Sequence, residues 1–279
     1  MCIRDSLAAD GLSAPVLAGD RQAAASSAVA GLSSAAVEAD GGAYATGRAV
    51  LWDQSDYDVS KPPLNDQEFG DYAPYSAYLV TDVVSTGWVV QTVTTYFTYG
   101  FSGSSNWPVG QNITARLNII PRDGCALPDD SYNPADGTEV TAQLQLVAGN
   151  TLALVADGLN IDVPAGEYWV GLTPVLAYGT YGQEFHRAAP IIGCNTVWRN
   201  PGNGYEYGPN WIWAYQLGYW ENTHDAAIKI EGIGAQPAGV CCHPDGTCEE
   251  TTEENCPEWS IWQASVSYTH LTLPTIYSV

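Results

Sequence analysis

An alternation of apolar and polar residues, the repeat of a β-strand with one buried face, runs through the middle of the chain, from about residue 45 to 234. Ile113, Ala115 and Leu117 alternate with polar neighbours in one segment, and Ile228 and Ile230 do so in another. No helical repeat separates these segments. The pattern therefore predicts an all-β fold, an antiparallel β-sandwich of the jelly-roll kind.

Turn-forming residues divide the patterned region into short segments. Turns are predicted at 148–150, 156–158 and 164–166, each of which contains a glycine. The predicted strands span residues 48–52, 77–84, 88–99, 112–119, 140–146, 151–156, 159–163, 168–172, 211–217 and 225–231.

The composition changes on both sides of this region, and these changes predict that the chain has four parts. Residues 1–44 are rich in Ala, Ser and Gly and are expected to be a leader or linker, followed by a sandwich over 45–234 and a cysteine-rich segment over 235–263. Residues 1–6 and the tail 264–279 resemble translated sequencing-adapter read-through and are expected to be artefactual. The natural protein is then a longer secreted chain, and a signal peptide would have preceded this fragment.

Cysteines indicate the compartment. Cys241, Cys242, Cys248 and Cys256 lie within sixteen residues, and an even six remain once Cys2 is set aside with the adapter-like start. Such spacing predicts disulfides in a protein that is secreted or held at the cell surface. A zinc site is the alternative, but adjacent cysteines do not match the usual ligand spacing.

Four tail cysteines allow three pairings. We favour Cys241 with Cys248 and Cys242 with Cys256, because a bridge between neighbours is strained. Cys125 and Cys194 are expected to form a third bridge across the sandwich, which would contribute about 2–5 kcal/mol.

Charge restricts the partners. Lys and Arg total 9 against 31 acidic residues, for a net charge of −22, and the cations form no basic patch. Nucleic acids and anionic lipid surfaces are therefore not expected as partners. No apolar run is long enough to span a bilayer, so no membrane insertion is expected.

Two acidic runs offer the hard oxygens that Ca²⁺ prefers. They are Asp53 with Asp56 and Asp58, and Asp66 with Glu68 and Asp71. Neither run matches a calcium-binding loop, and solvated acidic loops are the favoured interpretation. No cofactor and no metal ligand are therefore predicted.

Aromatic residues supply the best candidate for binding. A cluster of tyrosines and tryptophans occupies residues 205–220, and along a strand Trp211, Trp213 and Tyr215 would share one face. An exposed row would stack on sugar rings, whereas an inward row is core, which is the favoured interpretation. The candidate ligand-binding residues are Tyr207, Trp211, Trp213, Tyr215 and Trp220.

No catalytic residues are predicted. A nucleophile elbow and a phosphate loop are both missing from the sequence. A glycosidase needs two carboxyl groups across a cleft. Glu184 with His186 is one pair that can be imagined, and nothing in the sequence distinguishes it.

Three stretches carry a resemblance. Residues 163–172, residues 225–232 and the Cys-Cys-x-Pro-Asp-Gly-x-Cys motif of residues 241–248 resemble uncharacterised secreted β-sandwich proteins of aquatic bacteria. That resemblance implies a jelly-roll-like domain followed by a small cysteine-rich segment, and it brings no catalytic residues.

Three functional classes follow. The first is a non-catalytic module of an extracellular or cell-envelope protein, structural or adhesive, with glycans or envelope components as partners. A carbohydrate-binding module that uses the aromatic row is the alternative, and a secreted glycoside hydrolase is the third class.

Overall fold

A computed structural model describes residues 48–99, 107–234, 239–251, 256–257 and 260–264. The described residues belong to two units, which divide between Gly234 and Ala235. The predicted leader and the adapter-like tail beyond Ala264 lie outside the described residues, so their interpretation stays a prediction.

Antiparallel strands supply most of the regular secondary structure of the first unit's described residues, which confirms the prediction of an all-β fold. Its helical elements are α1 (Tyr178–Tyr181) and three short 3-10 helices at Ala73–Tyr75, Pro134–Asp136 and Ala214–Leu217. The strands are β1 (Ala49–Gln54), β2 (Leu64–Asn65), β3 (Tyr78–Tyr99), β4 (Asn112–Pro121), β5 (Thr138–Ala148), β6 (Thr151–Pro174), β7 (Glu184–His186), β8 (Ala188–Pro190), β9 (Val197–Arg199), β10 (Ile212–Trp213), β11 (His224–Ala226) and β12 (Ile228–Gly234).

Two unusually long strands organise the sheet. β3 has 22 residues and β6 has 24, and they pair from Thr81 opposite Val170 to Thr98 opposite Thr151. The other edge of β3 pairs in turn with β9, β12 and β7. β3 therefore connects most of the first unit.

The turns predicted at 156–158 and 164–166 are wrong, because β6 passes through both without reversing. Gly158, with φ 71°, lies where the register skips from Asp157 opposite Thr92 to Ile161 opposite Val90. Pro164, which has no N–H to donate, and Gly87 of β3, whose φ is 101°, both lie between two paired positions, Thr86 opposite Ala165 and Trp88 opposite Val163. Turn-forming residues here make irregularities that bend a strand.

The turn predicted at 148–150 is confirmed. β5 and β6 are joined by Gly149 and Asn150, and Gly149 adopts the left-handed φ of 56°. The first part of β6 pairs with β5, its last part pairs with β4, and β4 pairs with β5. This pairing curls the sheet, because β6 is paired with two strands that also pair with each other.

Each face of the sheet carries its own core, since neighbouring residues of a strand point to opposite faces. Val170 belongs to the core inside the curl, together with residues of β3, β4, β5 and β12. Its neighbour Trp169 belongs to a second core, called the outer-face core below, with Val197 and Trp211. The aromatic-rich segment 188–226 thus covers the outer face of the sheet.

The disulfide between Cys125 and Cys194 is confirmed. It links the loop after β4 to the segment between β8 and β9, across a sequence separation of 69 residues. Closing a loop of this length restricts the unfolded chain and stabilises the folded one by about 2–5 kcal/mol.

The second unit is a three-stranded sheet with β13 (Gly239–Cys242) between β14 (Cys248–Thr251) and β15 (Ile261–Ala264). Its disulfides join Cys242 to Cys248 and Cys241 to Cys256, so the favoured pairing was wrong. The reason is strand geometry. Cys242 lies directly opposite Cys248 in the β13–β14 pair, and Cys241, one residue earlier, points to the other face.

Leu144 and Leu146 of β5 provide a matched test of the core. Leu144 is fully buried, whereas Leu146, two residues later, is 61% exposed. We expect Leu144→Ala to lower the free energy of unfolding by about 2–5 kcal/mol, because it leaves a cavity. Leu146→Ala is expected to change it by less than about 0.5 kcal/mol. Urea unfolding of both variants measures the difference, and equal losses would contradict the described core.

Candidate functional site

The aromatic segment 205–220 does not form the predicted strand over 211–217. Only Ile212 and Trp213 are in β10, and a 3-10 helix begins at Ala214. The backbone amide of Trp213 donates to the side chain of Gln216 at 3.0 Å, which stabilises this turn. A shared face of Trp211, Trp213 and Tyr215 is therefore not formed.

Two of the five candidate ligand-binding residues belong to the interior. Trp211 is 2% exposed and packs in the outer-face core, with the Arg199 guanidinium 5.7 Å from its ring centre. Trp220 is 3% exposed, and its indole N–H donates to the carbonyl of Pro62 at 2.7 Å. Both rings cover the sheet, so the interpretation as core applies to them.

The other three candidates reach the surface. Trp213 and Tyr215 are half-buried, and their ring planes are nearly parallel, with an angle of 10° and centroids 6.3 Å apart. Buried Trp169 contacts Trp213 in a T-shaped arrangement, with ring centroids 6.1 Å apart. Tyr207 is exposed and contacts Trp198 edge-on. The Trp213–Tyr215 pair is the part of the predicted row that a ligand can reach.

A buried polar cluster lies between β2, β3, β6 and β7. Asp66 follows β2, and its Oδ2 is 2.8 Å from Nδ1 of His186 in β7. Its Oδ1 accepts from the Thr173 hydroxyl at 2.7 Å and from the Leu79 amide at 3.2 Å. The other ring nitrogen of His186 faces the carbonyl oxygen of Ala227 at 3.0 Å. Asp66 thus joins four strands that do not all pair with one another.

Glu184 lies two residues before His186 on the same face of β7, but His186 pairs with Asp66 and not with Glu184. Glu184 is fully buried, and neither of its carboxyl oxygens has a hydrogen-bond partner among the described residues. Burial, assisted by the negative charge of Asp66, raises the pKa of Glu184 well above its ordinary value. Burial therefore disfavours the charged form of this carboxyl group, and the imagined pair does not face a cleft.

The acidic residues considered for calcium point to different partners. Glu68 binds the Tyr78 hydroxyl and Arg116, and Asp71 accepts the backbone amides of Tyr178 and Gly179. Asp53 and Asp58 each accept the amide of the residue two positions later, as side chains in tight turns do. Within the described ranges, no group of three His, Cys, Asp or Glu residues has the arrangement of a metal site.

A shallow surface depression with a volume of about 660 Å³ lies beside β1 and β8. Its lining consists of Asp53, Gln54, Ser55, Asp56, Pro190 and Ile192. Below it, the Gln54 amide donates to Asp225 at 2.9 Å and to the carbonyl of Pro190 at 3.1 Å.

Asp225 is fully buried and also accepts the Thr196 hydroxyl. Burial raises the pKa of Asp225 to about 7, although the hydrogen bonds from Thr196 and Gln54 lower it in part. Its carboxyl group therefore titrates near neutral pH under the floor of the depression.

Comparisons of this chain with protein-family models, with curated proteins and with solved structures found no match. In the part of the chain that the structure describes, no helix has the length and apolar character needed to cross a bilayer. The site must therefore be interpreted from its own geometry.

Sequence reasoning missed both buried carboxyl networks. Asp66 and His186 are separated by 120 positions, and Gln54 and Asp225 by 171. Asp66 follows Leu64 and Asn65, and Asp225 precedes the apolar residues 226–228. Neither position has a local pattern that tells a buried carboxylate from one in a loop. The partners lie in or beside short strands, β2 and β7 in one network and β1 and β11 in the other, and only the tertiary fold brings these strands together.

The titration of Asp225 predicts a specific pH dependence. Because its folded pKa is about 7 and the ordinary value is 3.8, the folded state holds the proton more tightly. The stabilisation is complete below about pH 4 and is lost as the pH rises through 7, by at most about 4 kcal/mol. We expect urea unfolding from pH 5 to 8.5 to show this decline, and Asp225→Asn to remove most of it.

Asp56→Asn is the control for this measurement, because Asp56 is exposed at the rim of the same depression. It should retain the decline of the unaltered protein. A stability that is flat over this pH range in the unaltered protein would contradict the burial of an ionisable Asp225.

Proposed function

We propose that this chain is a non-catalytic structural module of an extracellular or cell-envelope protein. The observation that carries the proposal is the way its buried polar groups are used. The buried side chains of Arg199 and Asn200 each hold backbone segments that no strand pairing connects. Buried Asp66 binds the His186 ring, the Thr173 hydroxyl and the Leu79 amide, and so links four strands.

Arg199 is the clearest case. Its guanidinium donates to the carbonyl oxygens of Pro209, Asp130 and Tyr132, which belong to two separate loops. Burial removes water from the guanidinium and lowers the pKa of Arg199. The three carbonyl oxygens supply the hydrogen-bond partners that water would otherwise provide. All three donor nitrogens are thereby engaged in holding loops in place.

Asn200 performs the same task one residue later. Its side-chain amide donates to the carbonyls of Pro74 and Ser76 at 2.7 Å each, and its oxygen accepts the amide of Tyr205 at 3.1 Å. Side chains that are saturated by backbone partners have no free atom for substrate chemistry, and this favours a role in maintaining shape.

Three disulfides support the proposed location. Thiols stay reduced in most cytoplasms, so a chain with Cys125–Cys194, Cys241–Cys256 and Cys242–Cys248 all bridged fits an oxidising compartment. The net charge of −22 suits a soluble module that does not bind anionic surfaces.

The test compares the chain exported to an oxidising compartment with the chain kept in a reducing cytoplasm. We expect the exported form to carry all six bridged cysteines, to resist trypsin, and to release no reducing sugar from a panel of polysaccharides. Mass spectrometry with and without reductant counts the bridges. Sugar release that Asp53→Asn or Asp56→Asn abolishes, in a variant with unchanged thermal unfolding, would contradict the proposal and favour the hydrolase.

A second candidate function is carbohydrate binding at the Trp213–Tyr215 pair. Its support is the pair of nearly parallel, half-buried rings, because sugar C–H faces stack on aromatic planes. Trp211 no longer contributes to this candidate, since its ring is inside the outer-face core.

The double variant Trp213→Ala, Tyr215→Ala tests it on a glycan array. If the module binds a glycan, we expect the variant to weaken binding by about tenfold or more, which corresponds to about 1.4 kcal/mol. Val84→Ala, which removes an exposed apolar side chain of β3, is the control. Unchanged glycan retention in the folded double variant, or no retention by the unaltered protein, would exclude this site.

A further inference from the structure

The two sulfurs of the Cys125–Cys194 bridge have different surroundings. Cys125 is exposed, as are all residues from Asp123 to Leu127 around it. Cys194 is only 5% exposed and packs with Val80, Trp169 and Trp211. A reagent in solution can therefore approach the bridge from the side of Cys125.

A buried cation contacts the inner sulfur. The Arg122 side chain is 4% exposed, and its Nη1 donates to Sγ of Cys194 at 3.0 Å. The same nitrogen donates to the carbonyl of Gly124, and Nη2 donates to Asp82 Oδ2 at 3.2 Å. The Trp169 ring lies 5.5 Å from the guanidinium carbon, so packing and hydrogen bonds together fix this group beside Cys194.

Thiol–disulfide exchange depends on both features. A thiolate attacks one sulfur in line with the bridge, and the other sulfur leaves with the electron pair, faster when its thiolate is stabilised. A cation next to a cysteine favours the thiolate form. Exposure therefore selects Cys125 for attack, and Arg122 favours Cys194 as the leaving group.

We propose that the Cys125–Cys194 bridge is a modification site for small thiols, which become attached to Cys125. The incoming thiolate forms a bond to Cys125 Sγ, the Cys125–Cys194 bond breaks, and its electron pair stays on Cys194 Sγ beside Arg122. The incoming thiol is oxidised to the mixed disulfide while Cys194 is reduced, so no other oxidant is needed.

Acidic groups near the site oppose the thiolate in part. Asp82 Oδ2 accepts the Cys194 amide at 3.0 Å, Glu167 lies 3.4 Å from Arg122 Nη1, and Asp123 is exposed beside Cys125. Nη1 remains the charged atom in direct contact with the sulfur, whereas Asp82 contacts the backbone amide and Nη2. The acidic surface also favours a cationic reagent, and cysteamine is therefore the chosen probe.

The first experiment determines which sulfur is attacked. The full chain with Cys2→Ser is treated with cysteamine and quenched with acid at early times. Free thiols are then alkylated and the peptides are mapped by mass spectrometry. We expect cysteamine on Cys125 and the alkyl group on Cys194, in about tenfold excess over the reverse arrangement. Equal amounts of the two arrangements, or cysteamine mainly on Cys194, would overturn the proposal.

The second experiment tests the role of Arg122. In the Cys2→Ser background, Arg122→Gln should slow the exchange by about threefold to tenfold. Glu167→Gln, which removes the exposed partner of Arg122, is the matched control and should not slow it. An unchanged rate in folded Arg122→Gln would overturn the proposal.

A third measurement decides the question if Arg122→Gln does not fold. In the Cys2→Ser, Cys125→Ser chain, Cys194 is the one cysteine left outside a bridge. Ultraviolet absorbance of its thiolate should rise well below pH 8.5, the midpoint of an ordinary cysteine. A midpoint at or above 8.5 would overturn the proposal. None of these outcomes depends on the structural function proposed above.

Discussion

The antiparallel pairing of β3 with β6 is the constraint on which the first unit depends. β4 and β5 attach to β6, and β7, β9 and β12 attach to β3. The contact is close where β6 passes Leu79, since a Cβ on Gly171 would lie 2.1 Å from the Leu79 carbonyl oxygen. A residue larger than glycine would therefore push the backbones of this region apart.

Beyond the sheet, three buried side chains, Asp66, Arg199 and Asn200, hold the fold through hydrogen bonds. Removing a charge or an amide from water is costly unless it finds partners inside the protein. Arg199 and Asn200 find them in backbone groups of distant segments. Asp66 finds them in His186, Thr173 and the Leu79 amide, so a misplaced segment would leave one of these groups unpaired. These side chains favour one loop arrangement over others of similar apolar burial, and this specificity suits a module whose role is to keep a shape.

The sequence predicted the all-β fold class well and the boundaries of the strands less well. Alternation around Leu117 and Ile228 is a local property, and it predicted β4 and β12. Glycine and proline were interpreted as chain reversals at 156–158 and 164–166, but the same residues form bulges when a partner strand continues alongside. The prediction of an aromatic row was wrong for a related reason. Whether Trp211 faces solvent depends on the outer face of the sheet, which the segment 188–226 covers, and no periodicity within the segment reveals that.

The adjacent cysteines of β13 have a mechanical consequence. Because they point to opposite faces, one covalent bond holds the β13–β14 hairpin together and the other joins Cys241 to Cys256. Tension applied to the chain on either side of this segment would travel through the Cys241–Cys256 link and bypass the residues between them. The part of the hairpin that begins at Cys242 would then carry no load, and its length would stay constant under forces that extend an unbridged hairpin.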